Sequence, residues 1–218
     1  MVKYAAVFCA CFLSAHAELV CLPSVAPGGV VPNTNDNCPG DRNGSAPLGT
    51  IVADTGVELF NFNGSGQNTS GQFEEVVFRE TSGTLDFLMQ LNVTNGNIFT
   101  VDTGNFHGFD TELGSLSEVS ILGFGSTAPT FDFRSSDGAT VGFGFAGNPL
   151  AGLSFTLGIS TDAINFAGSN VGLIGSSGGT QTLFAFEPVP EPPFYGLLAF
   201  GVGAFLWKMN KRGTYEPR

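Results

Sequence analysis

The sequence predicts an all-β domain of the β-sandwich or jelly-roll type, with one helix added at each end of the chain. Short runs of alternating apolar and polar residues recur along the middle of the chain, and turn-forming residues separate them. No twelve-residue window there repeats its apolar residues with the 3.6-residue period of a helix. About ten short strands with turns between them are typical of two packed sheets.

The clearest strand begins at Leu85, where apolar and polar residues alternate as far as Val93. Only Leu88 interrupts its polar face, so the pattern predicts a half-buried strand. Two further alternating runs start at Val141 and at Leu153. Weaker strands are predicted over 57–62, 73–80, 118–124, 130–134, 163–167, 171–174 and 181–187.

A hairpin is predicted directly after the clearest strand. Asn95-Gly96 is a dipeptide that favours a tight turn between two strands. The second strand of this hairpin would cover 97–102, with Phe99 and Val101 facing inward.

The predicted body of the protein is strongly acidic. Residues 18–193 carry three basic side chains against eighteen acidic ones, a net charge of −15. Such a surface repels nucleic acid and anionic lipid headgroups, so the charge excludes nucleic-acid binding. It also keeps an exported domain soluble.

The first seventeen residues have the three parts of a secretory signal peptide. Lys3 supplies a positive charge, Tyr4–Leu13 is apolar, and Ala15-His16-Ala17 ends in the Ala-x-Ala pattern of a signal peptidase site. Cleavage after Ala17 would remove two of the four cysteines, Cys9 and Cys11.

Cys21 and Cys38 would remain in the mature chain. An even number of cysteines in an exported protein predicts a disulfide. This bridge would close a loop of about seventeen residues and contribute roughly 3 kcal/mol. A metal site is the alternative, but it would lack further thiols, and His107 is the one histidine left in the body.

The C-terminal thirty residues combine an extended motif, an apolar run and a basic cluster. Val189-Pro190-Glu191-Pro192 precedes the uncharged run Phe194–Trp207, and Lys208, Lys211 and Arg212 follow it. A helix of this length spans roughly 21 Å, less than a hydrocarbon core of about 30 Å. Trp207 and the basic cluster nevertheless predict membrane contact, with the tail on the cytoplasmic side and the body outside.

This order of parts resembles the PEP-CTERM sorting signal over approximately residues 188–212. The resemblance implies export by a bacterium, usually one that has an outer membrane and makes exopolysaccharide. It also implies recognition by exosortase, a membrane enzyme similar to cysteine transpeptidases that is thought to cut near Val189-Pro190-Glu191-Pro192. A chain cut there would keep no membrane span.

The sequence therefore predicts an exported protein of the bacterial cell surface or extracellular matrix, transiently anchored in the inner membrane. We expect a structural or adhesive component of an exopolysaccharide layer, not an enzyme, and no obligatory cofactor. Its predicted segments are a signal peptide (1–17), an irregular segment pinned by a disulfide (18–50), a β-sandwich ectodomain (51–187), the sorting signal with its membrane helix (188–212) and a tail (213–218).

Two glycine-rich motifs match the patterns of catalytic or cofactor sites. Residues 142–147 match G-x-G-x-x-G, but a nucleotide site needs a helix next, and a predicted strand follows instead. Residues 175–179 match G-x-S-x-G, which in hydrolases joins a strand to a helix beside a histidine base. Another predicted strand follows here too, so we interpret both motifs as turns.

Three pairs of carboxylates are candidates for a glycosidase site: Glu74 with Glu75, Asp110 with Glu112, and Asp132 with Asp137. A glycosidase needs two carboxylates that face each other across a cleft. Neighbouring residues on a strand point to opposite faces, which argues against the first pair. The body also has no Trp or Tyr to stack on a sugar.

An oxygen-rich stretch beside Cys38 suits calcium. Its side chains lack the order of an EF-hand, yet they are ligands of the type that Ca²⁺ prefers. These residues are Asn33, Asn35, Asp36, Asn37 and Asp41. A ligand-binding or glycan-binding module assisted by calcium is therefore the alternative function, and a secreted hydrolase ranks third.

Overall fold

The described part of the protein is all-β. The computed structural model describes residues 24–32, 49–117 and 119–190, and within these ranges the chain forms twelve strands and no helix. The strands are β1 Val30–Pro32, β2 Gly49–Asp54, β3 Glu58–Gly64, β4 Gln67–Glu80, β5 Leu85–Thr103, β6 Thr111–Leu116, β7 Phe131–Arg134, β8 Val141–Gly144, β9 Leu150–Leu153, β10 Thr156–Thr161, β11 Phe166–Gly175 and β12 Thr180–Pro188.

All twelve strands belong to one antiparallel sheet that is organised around β5. The first half of β5 pairs with β4 on one side and with β10 on the other, and β6 extends the sheet beyond β10. The second half pairs with β11 on one side and with β8 on the other. We call these the first and second portions of the sheet; β5 is the strand that belongs to both.

The two portions enclose the main hydrophobic core. Apolar side chains from β3, β4, the first half of β5 and β10 meet those from β8, β11 and β12 in one cluster. Side-chain bonds close the space between β3 and β12, where the Asn61 amide donates to Gln181 Oε1 and the Phe184 amide donates to Glu58 Oε2. The alternation predicted from Leu85 to Val93 is confirmed, since its five apolar residues are all buried here.

The predicted hairpin at Asn95-Gly96 is wrong, because β5 runs on through this dipeptide. Gly96 does adopt a positive φ of 72°, but the result is a bend within one strand. The side chains of Thr94 and Asn95 donate to carbonyls of β4 and hold the bend against that strand. The residues of the dipeptide carry no information about the partner strand. Here the long strand β4 holds this part of β5 in place, so the chain does not reverse.

The bend also changes which side chains face inward beyond it. Val101 is buried as predicted, whereas Phe99 is 38% exposed and Ile98 is fully buried. Pairing with β9 shifts register between Val93 and Ile98, and pairing with β11 shifts again at Gly175. A strict two-residue period therefore does not continue through the bend.

Several other strands begin or end at residues that differ from the predicted ones. The run from Leu153 breaks in two, because the Ser154 main chain and hydroxyl bond to the Leu91 main chain and end β9 there. The runs 163–167 and 171–174 merge into β11, and no strand forms in the described residues of 118–124. β1 lies inside the segment that was predicted to be irregular, 18–50.

The opposite face of the first portion is also covered. Leu88, which interrupts the polar face in the sequence, is 3% exposed and packs with Val76, Phe78 and Leu116 in a second, smaller cluster. Val119 and Ile121 of the segment after β6 pack onto this cluster. The first half of β5 is therefore buried on both faces, where its pattern predicted burial on one.

The side chain of Gln90 forms hydrogen bonds that hold the segment after β6 against the sheet. Its Oε1 accepts hydrogen bonds from the amides of Ile121 and Leu122, at 3.0 and 2.7 Å. Its Nε2 donates to the carbonyls of Gly123 and Ser154, both at 2.8 Å. All four hydrogen bonds of this fully buried amide are thus made, which offsets the cost of burying it.

Candidate functional site

The predicted sorting motif begins where the described body ends. β12 ends at Pro188, and the Val189 amide still donates to the Asn165 carbonyl at 3.0 Å. Val189 and Pro190 are described, and the other predicted residues lie outside the described part of the chain: Ala15, Ala17, Cys21, Cys38, Glu191, Pro192, Trp207, Lys208, Lys211 and Arg212. Among residues 24–32, 49–117 and 119–190, no helix is long and apolar enough to cross a bilayer.

The glycine motif at 142–147 does not form a nucleotide site. Gly142 and Gly144 lie on β8, and a turn and then β9 follow. A Cβ at Gly142 would meet the ring of Phe133, and one at Gly144 would meet the ring of Phe131. These glycines therefore make room for two aromatic rings of the neighbouring strand β7.

The motif at 175–179 is the turn between β11 and β12. The Gly175 amide donates to the Gly179 carbonyl, and the Gly178 amide donates to the Gly175 carbonyl. Ser177 Oγ makes no hydrogen bond. His107 Nδ1 instead lies 2.6 Å from the carbonyl oxygen of Asp137, so the geometry of a hydrolase is not present.

Glu74 and Glu75 point to opposite faces of β4, as predicted from strand geometry. Glu75 is fully buried in the main core, whereas Glu74 lies half-buried on the other face. The pair Asp132 and Asp137 is also split, because Asp132 is buried on β7 and Asp137 lies exposed in the following turn. Neither pair provides two carboxylates that face each other.

Glu75, which we call the sealed acid, is fully buried between the two portions of the sheet. Its Oε2 accepts a hydrogen bond of 2.7 Å from the Phe186 amide of β12, and its Oε1 has no partner. Burial raises the pKa of Glu75 to about 8, although the Phe186 amide opposes the rise. The side chain therefore carries a proton at neutral pH and acts as a neutral link between β4 and β12.

The third pair, Asp110 with Glu112, lines a cavity at one end of the first portion. The cavity has a volume of about 310 Å³. Its walls come from the end of β4, the residue before β5, the start of β6 and the end of β10. The lining residues are Glu80, Thr84, Asp110, Glu112, Ser160, Thr161 and Asp162.

The register of the strands explains why these acids meet. Asp86 on β5 pairs with Ser160 on β10, and Ser160 pairs with Glu112 on β6. Directly paired residues project from the same face, so Asp86 shares a face with Ser160 and Glu112, which line the cavity. Glu80, six residues before Asp86, ends β4 on that face.

Asp86 is the most enclosed acid of this group. It is 1% exposed, and neither of its oxygens has a hydrogen bond of ordinary geometry. Burial raises the pKa of Asp86, and the charges of Glu80 and Glu112 raise it further, while the nearby Ser160 hydroxyl opposes the rise. Together these effects raise the pKa of Asp86 to about 8, so this carboxyl keeps a proton at neutral pH unless a cation takes its place.

Only part of this acidic group could be predicted from the sequence. Asp110 and Glu112 were paired because they are close in the chain, whereas Glu80, Asp86 and Asp162 come from other strands. Asp86 did leave a signal, since it sits with Leu88 and Gln90 on the face that was expected to be polar. A large apolar residue among polar ones indicates that the face is covered.

Comparison with protein-family models, with curated proteins and with solved structures finds no match to this chain. The calcium loop proposed at Asn33, Asn35, Asp36, Asn37 and Asp41 lies outside the described residues. Within the described ranges, no three carboxylate, imidazole or thiol groups already stand at the spacing of metal ligands.

Proposed function

We propose that this protein is exported and sorted to the bacterial cell surface or matrix through its PEP-CTERM-like C-terminus. Its all-β body would serve as a structural or adhesive element of an exopolysaccharide layer, without catalytic activity. The body would have a β-sandwich architecture formed by the two portions of the sheet. A processing enzyme of the exosortase type would be its transient partner in the inner membrane.

The place where the folded body ends is the observation that carries this proposal. Within the described residues, the last strand stops at Pro188, and the Val189 amide is the last one that bonds to the body. Pro190 cannot donate to a strand, so it favours an end to pairing at this point. The motif therefore starts directly after the last described strand, an arrangement that would hold the body next to the membrane until the tag is cut.

The glycine motifs support a non-enzymatic role. One makes room for aromatic rings, and the other closes a hairpin, so neither supplies the helix terminus or the base that the chemistry requires. The acidic composition of residues 18–193 is suited to a solvated domain outside the cell.

The test uses the full chain in a host that encodes exosortase. In one variant, Pro190, Glu191 and Pro192 are all replaced by Ala. We expect this variant to keep the mass of the uncut chain and to stay with the inner membrane, whereas the wild type becomes smaller and moves to the surface or medium. Cell fractionation and mass spectrometry of the product measure both effects.

A matched control changes Glu216 and Pro217 to Ala, because these residues repeat part of the motif but lie after the basic cluster. It should behave as the wild type does. If the motif variant and the wild type have the same mass and the same fractionation, the sorting proposal is wrong.

A further inference from the structure

The acidic cavity and the strand beneath it hold buried carboxylate oxygens that lack a hydrogen bond of ordinary geometry. These are both oxygens of Asp86, which is 1% exposed and lies beneath the cavity beside Ser160 and Glu80, and Oε1 of Glu80, which is 6% exposed and lines the cavity. Glu80 Oε2 accepts hydrogen bonds from the hydroxyls of Ser82 and Thr84, at 3.1 and 3.3 Å. Buried carboxylates in proteins are normally paired, hydrogen-bonded or bound to a metal, so this arrangement lacks a component.

The charges around these oxygens all have the same sign. Four acids line the cavity, and Asp86 of β5 lies beneath them. The four are Glu80 at the end of β4, Asp110 just before β6, Glu112 on β6 and Asp162 just after β10. The nearby Arg79 does not balance them, because its guanidinium donates to the carbonyls of Gly83 and Ile164. A ligand that relieves this repulsion must be positively charged.

The chemistry of the lining selects a hard cation. Every side chain that lines the cavity offers oxygen, as carboxylate or hydroxyl, and none offers nitrogen, sulfur or an aromatic ring. Oxygen ligands of this kind suit Ca²⁺ and Mg²⁺ and do not favour zinc or copper. The absence of an aromatic platform in this lining argues against a sugar.

The size of the cavity favours calcium over magnesium. A volume of about 310 Å³ is much larger than a bare ion and leaves room for several waters at roughly 30 Å³ each. The carboxylates are not already spaced to hold a bare ion. Ca²⁺ accepts six to eight oxygens in irregular geometry, whereas Mg²⁺ demands a nearly ideal octahedron.

We propose that this cavity binds one partly hydrated calcium ion, with Glu80 and Asp86 as its inner carboxylate ligands. The ion joins the ends of β4, β5, β6 and β10 and stabilises the first portion of the sheet. The proposal does not depend on the sorting signal. It also differs from the calcium loop suggested by the sequence, since it uses none of residues 33–41.

The experiment titrates the full chain, purified in mild detergent, with CaCl₂ in an isothermal calorimeter. Calorimetry is chosen because residues 18–193 contain no Trp or Tyr to report binding by fluorescence. We expect one saturable site with a Kd of about 10⁻⁴ to 10⁻³ M, the range of extracellular calcium modules. The midpoint temperature of thermal unfolding, measured by circular dichroism, should be a few degrees higher in 10 mM CaCl₂ than in NaCl of equal ionic strength.

Two variants remove the inner ligands one at a time. Asp86→Asn and Glu80→Gln should each weaken calcium binding by about tenfold or more, because each removes one charged ligand. Asp86→Asn keeps the size of the side chain and removes a buried group that can ionise, so the ion-free variant should fold at least as stably as the wild type. The control Glu74→Gln removes a charge from the same strand and face, roughly 20 Å from Glu80, and should bind as the wild type does.

Three results would overturn the proposal. The first is no saturable calcium binding by the wild type. The second is unchanged binding by Asp86→Asn and Glu80→Gln, which would place any calcium elsewhere, for example at Asp36 and Asp41. The third is magnesium binding as tight as calcium binding, which would contradict the identification of the ion.

Discussion

The two faces of the first portion of the sheet bury acids in opposite ways. On the core face, Glu75 is sealed by β12 and receives one hydrogen bond from the Phe186 amide. On the other face, Asp86 is equally enclosed but lies beneath a cavity that leads to the exposed Asp110 and Asp162. A sealed acid can become neutral only by keeping a proton, whereas an acid beside a cavity can be neutralised by a ligand.

The same comparison applies to the apolar residues of β5. Phe87 belongs to the main core and Leu88 to the small cluster on the opposite face, and both are nearly inaccessible to solvent. Burial on both faces is more typical of central strands in parallel sheets than of an antiparallel sheet. The segment after β6 produces it here, because it covers the second face.

The largest loss of stability is expected for a substitution on the core face. Phe87→Ala removes a fully buried ring that packs edge-on against Phe106, with ring centroids 5.7 Å apart. We expect the free energy of unfolding to fall by about 3–5 kcal/mol in chemical denaturation. The control Phe99→Ala, on the same strand but 38% exposed, should cost clearly less. Equal losses in both variants would contradict the assignment of the core face.

The second effect concerns the sealed acid. The folded protein keeps the Glu75 proton up to about pH 8, while the unfolded chain releases it near pH 4.5. Between these values unfolding releases a proton, so stability is greatest at low pH and falls as the pH rises toward 8, by roughly 3–5 kcal/mol.

Glu75→Gln should remove this part of the pH dependence and make the protein more stable at pH 7 than the wild type. Denaturant unfolding at pH 5, 6, 7 and 8 measures the difference between the two proteins. Glu74→Gln is the control, because Glu74 faces away from the core. A constant difference between wild type and Glu75→Gln over this range would show that Glu75 does not titrate as described.

The third effect is on the covered face. Leu88→Ala should lower the free energy of unfolding by about 2–3 kcal/mol, since the side chain is 3% exposed among Val76, Phe78 and Leu116. A strand with only one buried face would lose almost nothing here. Leu59→Ala, at a position 74% exposed on β3, is the control and should change stability by less than about 0.5 kcal/mol.

The smallest change in the free energy of unfolding is expected for Gln90→Ala. This change leaves the amides of Ile121 and Leu122 without their acceptor and should cost about 2 kcal/mol. The distinctive result is local: hydrogen exchange at these two amides should accelerate more than exchange in β4. Unchanged exchange at both would mean that Gln90 does not hold the covering segment.

Much of the core could be predicted from the sequence. The alternation of Phe87, Met89 and Leu91 places three residues inward, and the structure buries each of them completely. The alternation that places Val141 and Phe143 inward is confirmed in the same way, since both side chains are buried. Such residues follow from the two-residue period of a strand, which needs no knowledge of the strand's partners.

The bend in β5 and the acidic cavity could not be predicted in this way. Asn95-Gly96 has the residues of a hairpin turn, but β5 pairs with β4 as far as Asn95, where the register shifts, and continues beyond Gly96 paired with β8 and β11. Asp86 and Glu112 are 26 residues apart in the chain and share a face only through the register with β10. Local patterns contain no information about which strands pair.

The sequence by itself determined the all-β class, the inward positions of the main strands and the expectation of an exported, sorted chain. These depend on residue periodicity and on the order of charged and apolar segments, which are local properties. The tertiary structure alone decided that Glu75 is sealed, that Leu88 is covered and that four acids line one cavity above Asp86. Burial and proximity depend on strand register and on how the sheet folds over itself, and these are set by contacts between residues distant in the chain.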